Sequence, residues 1–543
     1  MERDGAFTDS VIKQLGALPL VLGVIRDLGI REVVDHFCPI REEVSDYSHG
    51  QMIEILLANR LTAPHPLYAF EEWAEVFAVG ELFRVEPGKL NDDRLGRTLD
   101  ALSERIDEVQ VAVAKRAVEH FGLDLGQAHI DATSFFFEGA YQHNNPDHPQ
   151  PARGYNAQRD FKRKQLRTGQ AVLRDGNVPI FHKAFDGNRT DTTTLRQVYE
   201  GLQFLRSAAK PKEMIHVGDS KLLAAGNLLF LLQEGVLFVA PGERRKDFFE
   251  ELARLDPDAW QELDYVSESE AKKRKKAPPE EWNRYWCQEV EASVRDPKSG
   301  EEFKFRKFII RSSEEARAAK KNRDRQMAKA EQELEKLRNG IPRYYKTEER
   351  VRRKVEKILE SRRVEALYQL EIGTRDGTPF VNWTRDEEAI EDAERISGCY
   401  PLLTNLPAEH GADEILKIQK DQYRVEHRFA DWKGPIAVCP MFLKSNQRIA
   451  ALVAITAMAL TVFCLIERQV RRQLGDDQGY AVGFYPENRK SRPTGNKIFN
   501  AVRNVQAIVK AGELRIIQIA NVSPLVRQVH AALGVDLADF VNA

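Results

Sequence analysis

Residues 125–137 read LGQAHIDATSFFF, and the fold turns on this stretch. Upstream of it, apolar residues recur at helical spacing; from Leu125 the chain changes to short apolar runs with the character of β-strands. The run Ala128–Phe137 is followed by Gln170–Leu173, Pro179–Phe185, Met214–Val217 and Val236–Val239. Asp175-Gly176 supplies a hairpin turn between the second and third runs. Thr192–Ser207 reads as a helix before the fourth, and Leu222–Glu234 as a helix before the fifth. Strand, hairpin, helix, strand, helix, strand describes a mixed sheet with helices packed on it, so the predicted fold class is α/β.

Working outward, residues 1 to about 118 read as a small helical module, with apolar spacing in Val11–Leu28, Gln51–Arg60 and Leu99–His120 and breaks at Pro39, Pro64 and Pro66. Ser48 is an N-cap candidate with Gln51 at the capping-box distance. After Pro241 the composition turns to charge, which marks an insertion. Between Arg317 and Lys357 there are fifteen Lys or Arg against seven Asp or Glu. Met327, Ala330, Leu334 and Leu337 step at helical spacing, Asn339-Gly-Ile-Pro342 stops the helix, and Val351, Val355 and Ile358 restart it. A helical hairpin is expected there, either a solvated arm or a phosphate-contacting one, with Tyr344-Tyr345 in its linker. Strand-like runs return at Ala366–Ile372 and Phe380–Thr384, and a helix is expected from Glu409 to about Lys433. Ile449–Ile466 follows, with no charge across 18 residues. That length is at the lower edge of a membrane span, but Arg448 and Glu467-Arg468 flank it closely and nothing similar accompanies it, so a buried core helix is expected.

The length of 543 residues fits several domains, and 42% apolar with 30% charged residues is a globular balance. The net charge of −2 means that any polyanion contact must come from local basic patches. Five cysteines without a CxxC spacing argue against a disulfide framework and a thiolate zinc site. The N-terminus lacks the order of an export signal, and a cytoplasmic location is expected.

Two acids stand on apolar strands: Asp131 in the middle of the first and Asp219 at the end of the fourth. A carboxylate there is costly unless it is paired or binds a cation, so two at one sheet edge suggest a divalent metal. Glu426 is the candidate third acid, because Gln422, Glu426, Phe429 and Lys433 share one helix face. Taken singly, each is also an ordinary cap, turn or surface residue. His129 with Asp131 and His216 with Asp219 offer a rival bimetal His/Asp phosphohydrolase site, but the strand period points His216 away from Asp219. Ser134, His143 and His148 have no nucleophile-and-base spacing.

On these residues the chain resembles the DDE transposases of insertion sequences. Asp131, Asp219 and Glu426 are similar to the family triad, and Gly187-Asn-Arg-Thr-Asp191 to its Gly-Asn-x-Ser/Thr-Asp segment. Glu426 and Lys433, seven apart, resemble the Tyr-Arg-Glu-Lys signature of the insertion-sequence-four branch, and the segments Leu61–Tyr68 and Phe484–Thr494 are similar to corresponding segments in members of that branch. Where that signature has Tyr and Arg, this chain has Gln419 and Gln422, with Tyr423 and Arg424 displaced nearby.

The resemblance implies an RNase-H-like mixed sheet flanked by helices. It implies a helical DNA-binding domain at 1–118, a catalytic core at 119–241 and 405–474, a charged insertion with a helical hairpin at 242–404, and an extension at 475–543. It implies cleavage at mobile-element ends and strand transfer to target DNA, with Asp131, Asp219 and Glu426 holding two Mg²⁺ ions, for which Mn²⁺ can substitute. The partners are double-stranded DNA and a second copy of the chain assembled on it, with no membrane. Contacts to DNA are expected from Lys433, Tyr423 and Arg424, and from Lys320, Lys321, Arg352 and Arg353 on the hairpin. A non-catalytic DNA-binding descendant is the alternative from a different class.

Overall fold

The computed structural model describes residues 10–41, 43, 45–137, 145–156, 160–190, 194, 196–203, 214–223, 226–436 and 443–541. His143, Asp191, Cys439 and parts of the expected helix Thr192–Ser207 lie outside the described residues. The chain forms two compact units, Met1–Leu228 with Asp421–Ala543, and Leu229–Lys420.

In the first unit, β1 (Ser10–Gln14) precedes four strands of a mixed sheet: β2 (Gln127–Phe137), β3 (Lys164–Leu173), β4 (Pro179–Phe185) and β5 (Ile215–Val217), in the order β4-β3-β2-β5. β2 and β3 are antiparallel over ten residue pairs, from Ala128↔Leu173 to Phe137↔Lys164, and β5 runs parallel to β2. The β3–β4 connection is a tight turn. Gly176 and Asn177 both have positive φ, at 67° and 53°, and Val178 N–H donates to Asp175 C=O. The turn therefore centres on Gly176-Asn177, one residue later than Asp175-Gly176, because both central residues of this mirror-image turn need the left-handed region.

Helices cover both faces of this sheet. On one lie Tyr423–Lys433, Asn446–Leu474 and Ile106–Phe121. On the other is the helical segment 196–203, where Gly169 and Gly201 leave no room for a Cβ beneath Val198 and above Phe181. The helix Asn446–Leu474 is the core of the unit: Ile449–Ile466 is buried residue by residue, against His49–Thr62, Asp92–Ser103 and β4. It is the single helix among the described residues long and apolar enough to cross a membrane, and its apolar window lies inside the fold.

The N-terminal helices are consequently part of this unit and not a separate module. Ser48 Oγ caps the helix His49–Thr62 by accepting from Gln51 N–H, but Gln51 donates to Phe83 C=O, so only half of the capping box closes. β1 joins two strands near the other end of the chain, β13 (Gln506–Lys510) and β14 (Ile516–Ala520), in a three-stranded sheet.

The second unit is wider than the 242–404 insertion read from composition. β6 (Phe238–Pro241) belongs to it because it pairs with β12 (Cys399–Thr404), and Ala412–Lys420 packs on β6. Its main sheet runs β6-β12-β9-β8-β7, with β7 (Gln261–Leu263) and an eleven-residue hairpin of β8 (Tyr285–Arg295) and β9 (Glu302–Ser312). β10 (Tyr368–Arg375) and β11 (Thr378–Arg385) form a separate two-stranded ribbon. The expected helical hairpin is present as Ser313–Asn339 and Glu348–Arg362. Met327, Ala330, Leu334 and Leu337 meet Val351, Val355 and Ile358, with Tyr368 and Val381 of the ribbon closing that core. The helix expected from Glu409 to Lys433 is two helices, Ala412–Lys420 and Tyr423–Lys433; at the break, Gln422 is hydrogen-bonded to β2.

Candidate active site

Alternation along β2 places His129, Asp131, Thr133 and Phe135 on one face. Helix Tyr423–Lys433 is pinned across that face. Gln422 Nε2 donates to Ile130 C=O at 3.1 Å, and His129 Nδ1 donates to Gln422 Oε1 at 3.1 Å. At the other end of the helix, Lys433 Nζ donates to Thr133 Oγ1 at 2.5 Å, and the Trp432 and Phe135 rings meet edge-on at 4.8 Å. Asp131 lies between these anchors, and Glu426 is in the first turn of the helix, exposed at its border.

Asp219 arrives from β5. The parallel register pairs His129 with Val217, and two further residues along both chains bring Asp219 abreast of Asp131. A 3₁₀ turn, Ser220–Leu223, starts at once, and Asp219 anchors it by accepting Lys221 N–H on Oδ1. Asp131 Oδ1 similarly accepts Ala132 N–H at 2.7 Å.

The electrostatics bind the three acids into one group. Burial pushes the Asp131 carboxyl up to about 7, and the charges of Asp219 and Glu426 push in the same direction. Asp219 is also raised, by burial, against the opposing pull of the Lys221 N–H and of Lys221 and Arg167. Negative charge is therefore concentrated here beyond what the protein neutralises. Among the described residues, no three His, Cys, Asp or Glu side chains are already drawn together as a ligand set. The donor chemistry fits a hard divalent cation, since each acid offers carboxylate oxygen.

Two residues of β3 bear on this group and were not singled out in the sequence. Arg167 is buried, donates to Ser134 Oγ at 3.0 Å, and interacts electrostatically with Asp131 and Asp219. Gln170 pairs directly with Asp131 across the strands; it is fully buried, and neither end of its amide has a hydrogen-bond partner in the described structure. The signal was available, because Lys164–Gln170 is a polar run inside a buried strand.

The helix is also held from the hairpin turn. Arg428 donates to Gly176 C=O and Asn177 C=O, and pairs with Glu467 and Asp431, each at 2.8 Å. Arg424 turns the same way, bonding Asn177 Oδ1 and Asp421, while Tyr423 is half exposed against the His427 ring.

The histidines do not assemble a second metal site. His129 is held neutral by burial, down to about 4, with its ring nitrogens bonded to Gln422 and Gln127. His216 stacks on Tyr199 at 5.1 Å beneath the opposite face of the sheet. His148 pairs with Glu104 at 3.2 Å.

On the hairpin of the second unit, Lys320 pairs with Glu394, Arg352 with Glu348 and Arg353 with Glu349. Lys321 is exposed and makes no ion pair among the described residues.

Residues 10–113, which hold β1 and the N-terminal helices, match a family described as Domain of unknown function (DUF4277). No curated protein matches the chain. Among solved structures, the chain is similar to a piggyBac transposase in a synaptic complex with hairpin DNA, with a TM-score of 0.39 and 8% identity over 89% of this chain and 79% of that one.

Proposed function

We propose that this chain is a metal-dependent DNA transposase of the insertion-sequence type, cutting at mobile-element ends and joining them to target DNA. The observation that supports it is the Asp131 carboxyl, raised by burial and further by the charges of Asp219 and Glu426, which come from the end of a strand and from a helix. Carboxylates that act on Asp131 from two sides repel it unless a cation offsets them, and Asp131, Asp219 and Glu426 would hold one on closing around it. Mg²⁺ bound there supplies stabilisation for both the attacking and the leaving oxygen of an in-line phosphoryl displacement. Lys433, fixed on Thr133, would anchor a phosphate beside the acids without reading a base. Arg167 balances part of the carboxylate charge from below. Tyr423 and the hairpin cations Lys320, Lys321, Arg352 and Arg353 are proposed as outlying DNA contacts, and assembly on two ends would use two copies of the chain.

The rival reading, a DNA-binding protein without catalysis, has no need of three crowded acids. The deciding experiment is cleavage of DNA carrying the sequences that flank the gene, with Mg²⁺ and with EDTA. Cuts that require Mg²⁺ support the proposal; their absence on every flanking substrate removes it.

A further inference from the structure

A second site is built away from the acids, between the end of helix His49–Thr62 and helix Gly495–Val502. It is a cavity of about 420 Å³, within the range that takes small ligands. Asn496, Phe499, Asn500 and Arg503 present one face to it, at the helical spacing i, i+3, i+4 and i+7. Arg60 lines it from the other helix, and no carboxylate is among the lining residues.

Arg60 has an unusual setting. It is 8% exposed and forms no ion pair among the described residues. One guanidinium nitrogen donates to His65 C=O, which ties down the loop after the helix, but Nε has no partner in the described structure. Burial with no compensating acid pulls the group down to about 10. A buried guanidinium with no paired acid, lining a cavity that holds a second arginine and no acid, is complementary to an anion. The rest of the lining is specific in another way. Phe463 and Phe499 meet with ring centroids 5.3 Å apart, and the amides of Asn496 and Asn500 stand beside them. Aromatic faces and amide edges suit a planar heterocycle, not a bare ion.

We propose that this cavity binds a nucleoside 5′-phosphate, with Arg60 and Arg503 on the phosphate and the phenylalanines against the base. The inference is independent of the DNA-cutting reading and stands or falls without it. The same chemistry is offered by a free mononucleotide and by the 5′-phosphorylated end of a DNA strand.

The test uses the full chain, thermal unfolding and calorimetric titration. The probes are the four nucleoside 5′-monophosphates, a 5′-phosphorylated trinucleotide and inorganic phosphate. At least one nucleotide probe should raise Tm in a concentration-dependent way. Arg503→Gln, an exposed position that leaves the fold alone, should weaken that binding by about tenfold or more, and Asn500→Ala by less. Arg60→Gln should abolish it; should that variant unfold, the Arg503 result decides. Preference for the monophosphate identifies a free ligand, and preference for the trinucleotide a strand end; both support the site. No response to any nucleotide overturns it, as does an equal response to inorganic phosphate or an unchanged affinity in Arg503→Gln.

Discussion

Along the helical hairpin Ser313–Asn339 and Glu348–Arg362, charge is abundant and cheap; at the sheet face around Asp131, it is sparse and expensive. The hairpin pairs its basic residues with acids one turn away or on a neighbouring element, as in Arg353 with Glu349 and Lys320 with Glu394. Exposed pairs of this kind are worth about 0–1 kcal/mol each. Asp131 has no ion pair: burial and the charges of two more acids outweigh the pull of Arg167, and its carboxyl rises to about 7. The contrast teaches that a count of charges along a sequence is a poor guide to where charge acts. Of the fifteen basic residues between Arg317 and Lys357, Lys320, Arg323, Arg338, Arg352 and Arg353 pair with acids, whereas Asp219 and Glu426, far along the chain, act on Asp131.

The largest expected effect breaks the acid group itself. Asp131→Asn, Asp219→Asn and Glu426→Gln each keep shape but lose the charge a divalent cation requires, and each should abolish cleavage while DNA binding stays nearly unchanged. Residual cleavage near wild-type level in any one variant at saturating Mg²⁺ would remove that residue from the group. Next in size is the latch on the helix that carries Glu426. Arg428→Met leaves Asp431 without its ion pair and Glu467 with Arg471 as its one remaining cation, and frees the turn at Gly176-Asn177. Because Arg471 still offsets Glu467, the loss should fall below the roughly 3–5 kcal/mol of a fully uncompensated buried charge, at about 2–3 kcal/mol by denaturant unfolding. A loss under about 1 kcal/mol would show that the helix is held by its apolar contacts and by the anchors at Gln422 and Lys433.

A third prediction turns the raised carboxyl into a stability profile. The unfolded chain releases the Asp131 proton near the ordinary carboxylate value, and the folded chain keeps it until about 7. The folded state therefore binds more protons between those values, and its stability falls as pH rises from about 4 to about 7. Asp131→Asn escapes this cost, so without divalent metal it should be more stable than the parent at pH 8, by up to about 4 kcal/mol, and no more stable at pH 4. Mg²⁺ should raise the Tm of the parent at pH 8 and leave that of the variant unmoved. Parallel pH profiles for the two proteins would show that Asp131 bears no excess charge in the fold.

How much of this was legible in the sequence depends on whether the cause was local. The strand bearing Asp131, the hairpin turn, the helical hairpin and the core helix Ile449–Ile466 all follow from short-range patterns. Acids on apolar strands were conspicuous for the same reason. β1 was missed because its partner is β13, some 490 residues along the chain, and nothing near Ser10–Gln14 announces it. β8 and β9 were hidden by composition: Tyr285–Arg295 alternates as a half-exposed strand should, but its outward charges read as part of a solvated insertion. Arg167 and Gln170 acquire meaning only from the register that sets β3 beside β2. The grip of Arg428 on the turn at Gly176-Asn177 is likewise a tertiary fact, invisible until the helix is in place.

The smallest effect sharpens the comparison from the hairpin side. Were Lys320, Lys321, Arg352 and Arg353 all on phosphates, neutralising them together would flatten the slope of log affinity against log salt by about 3 to 4. Three of the four are already answered by acids, so few counterions are released when DNA approaches them. Lys321 alone is exposed without an ion pair among the described residues, which sets the expected change at about 0.9. Titrations of the quadruple variant and of Lys321→Gln over several salt concentrations should then give nearly the same slope. A drop of 3 or more in the quadruple variant would mean that DNA strips these arginines and lysines from their partners, and that the hairpin spends its charge on phosphate after all.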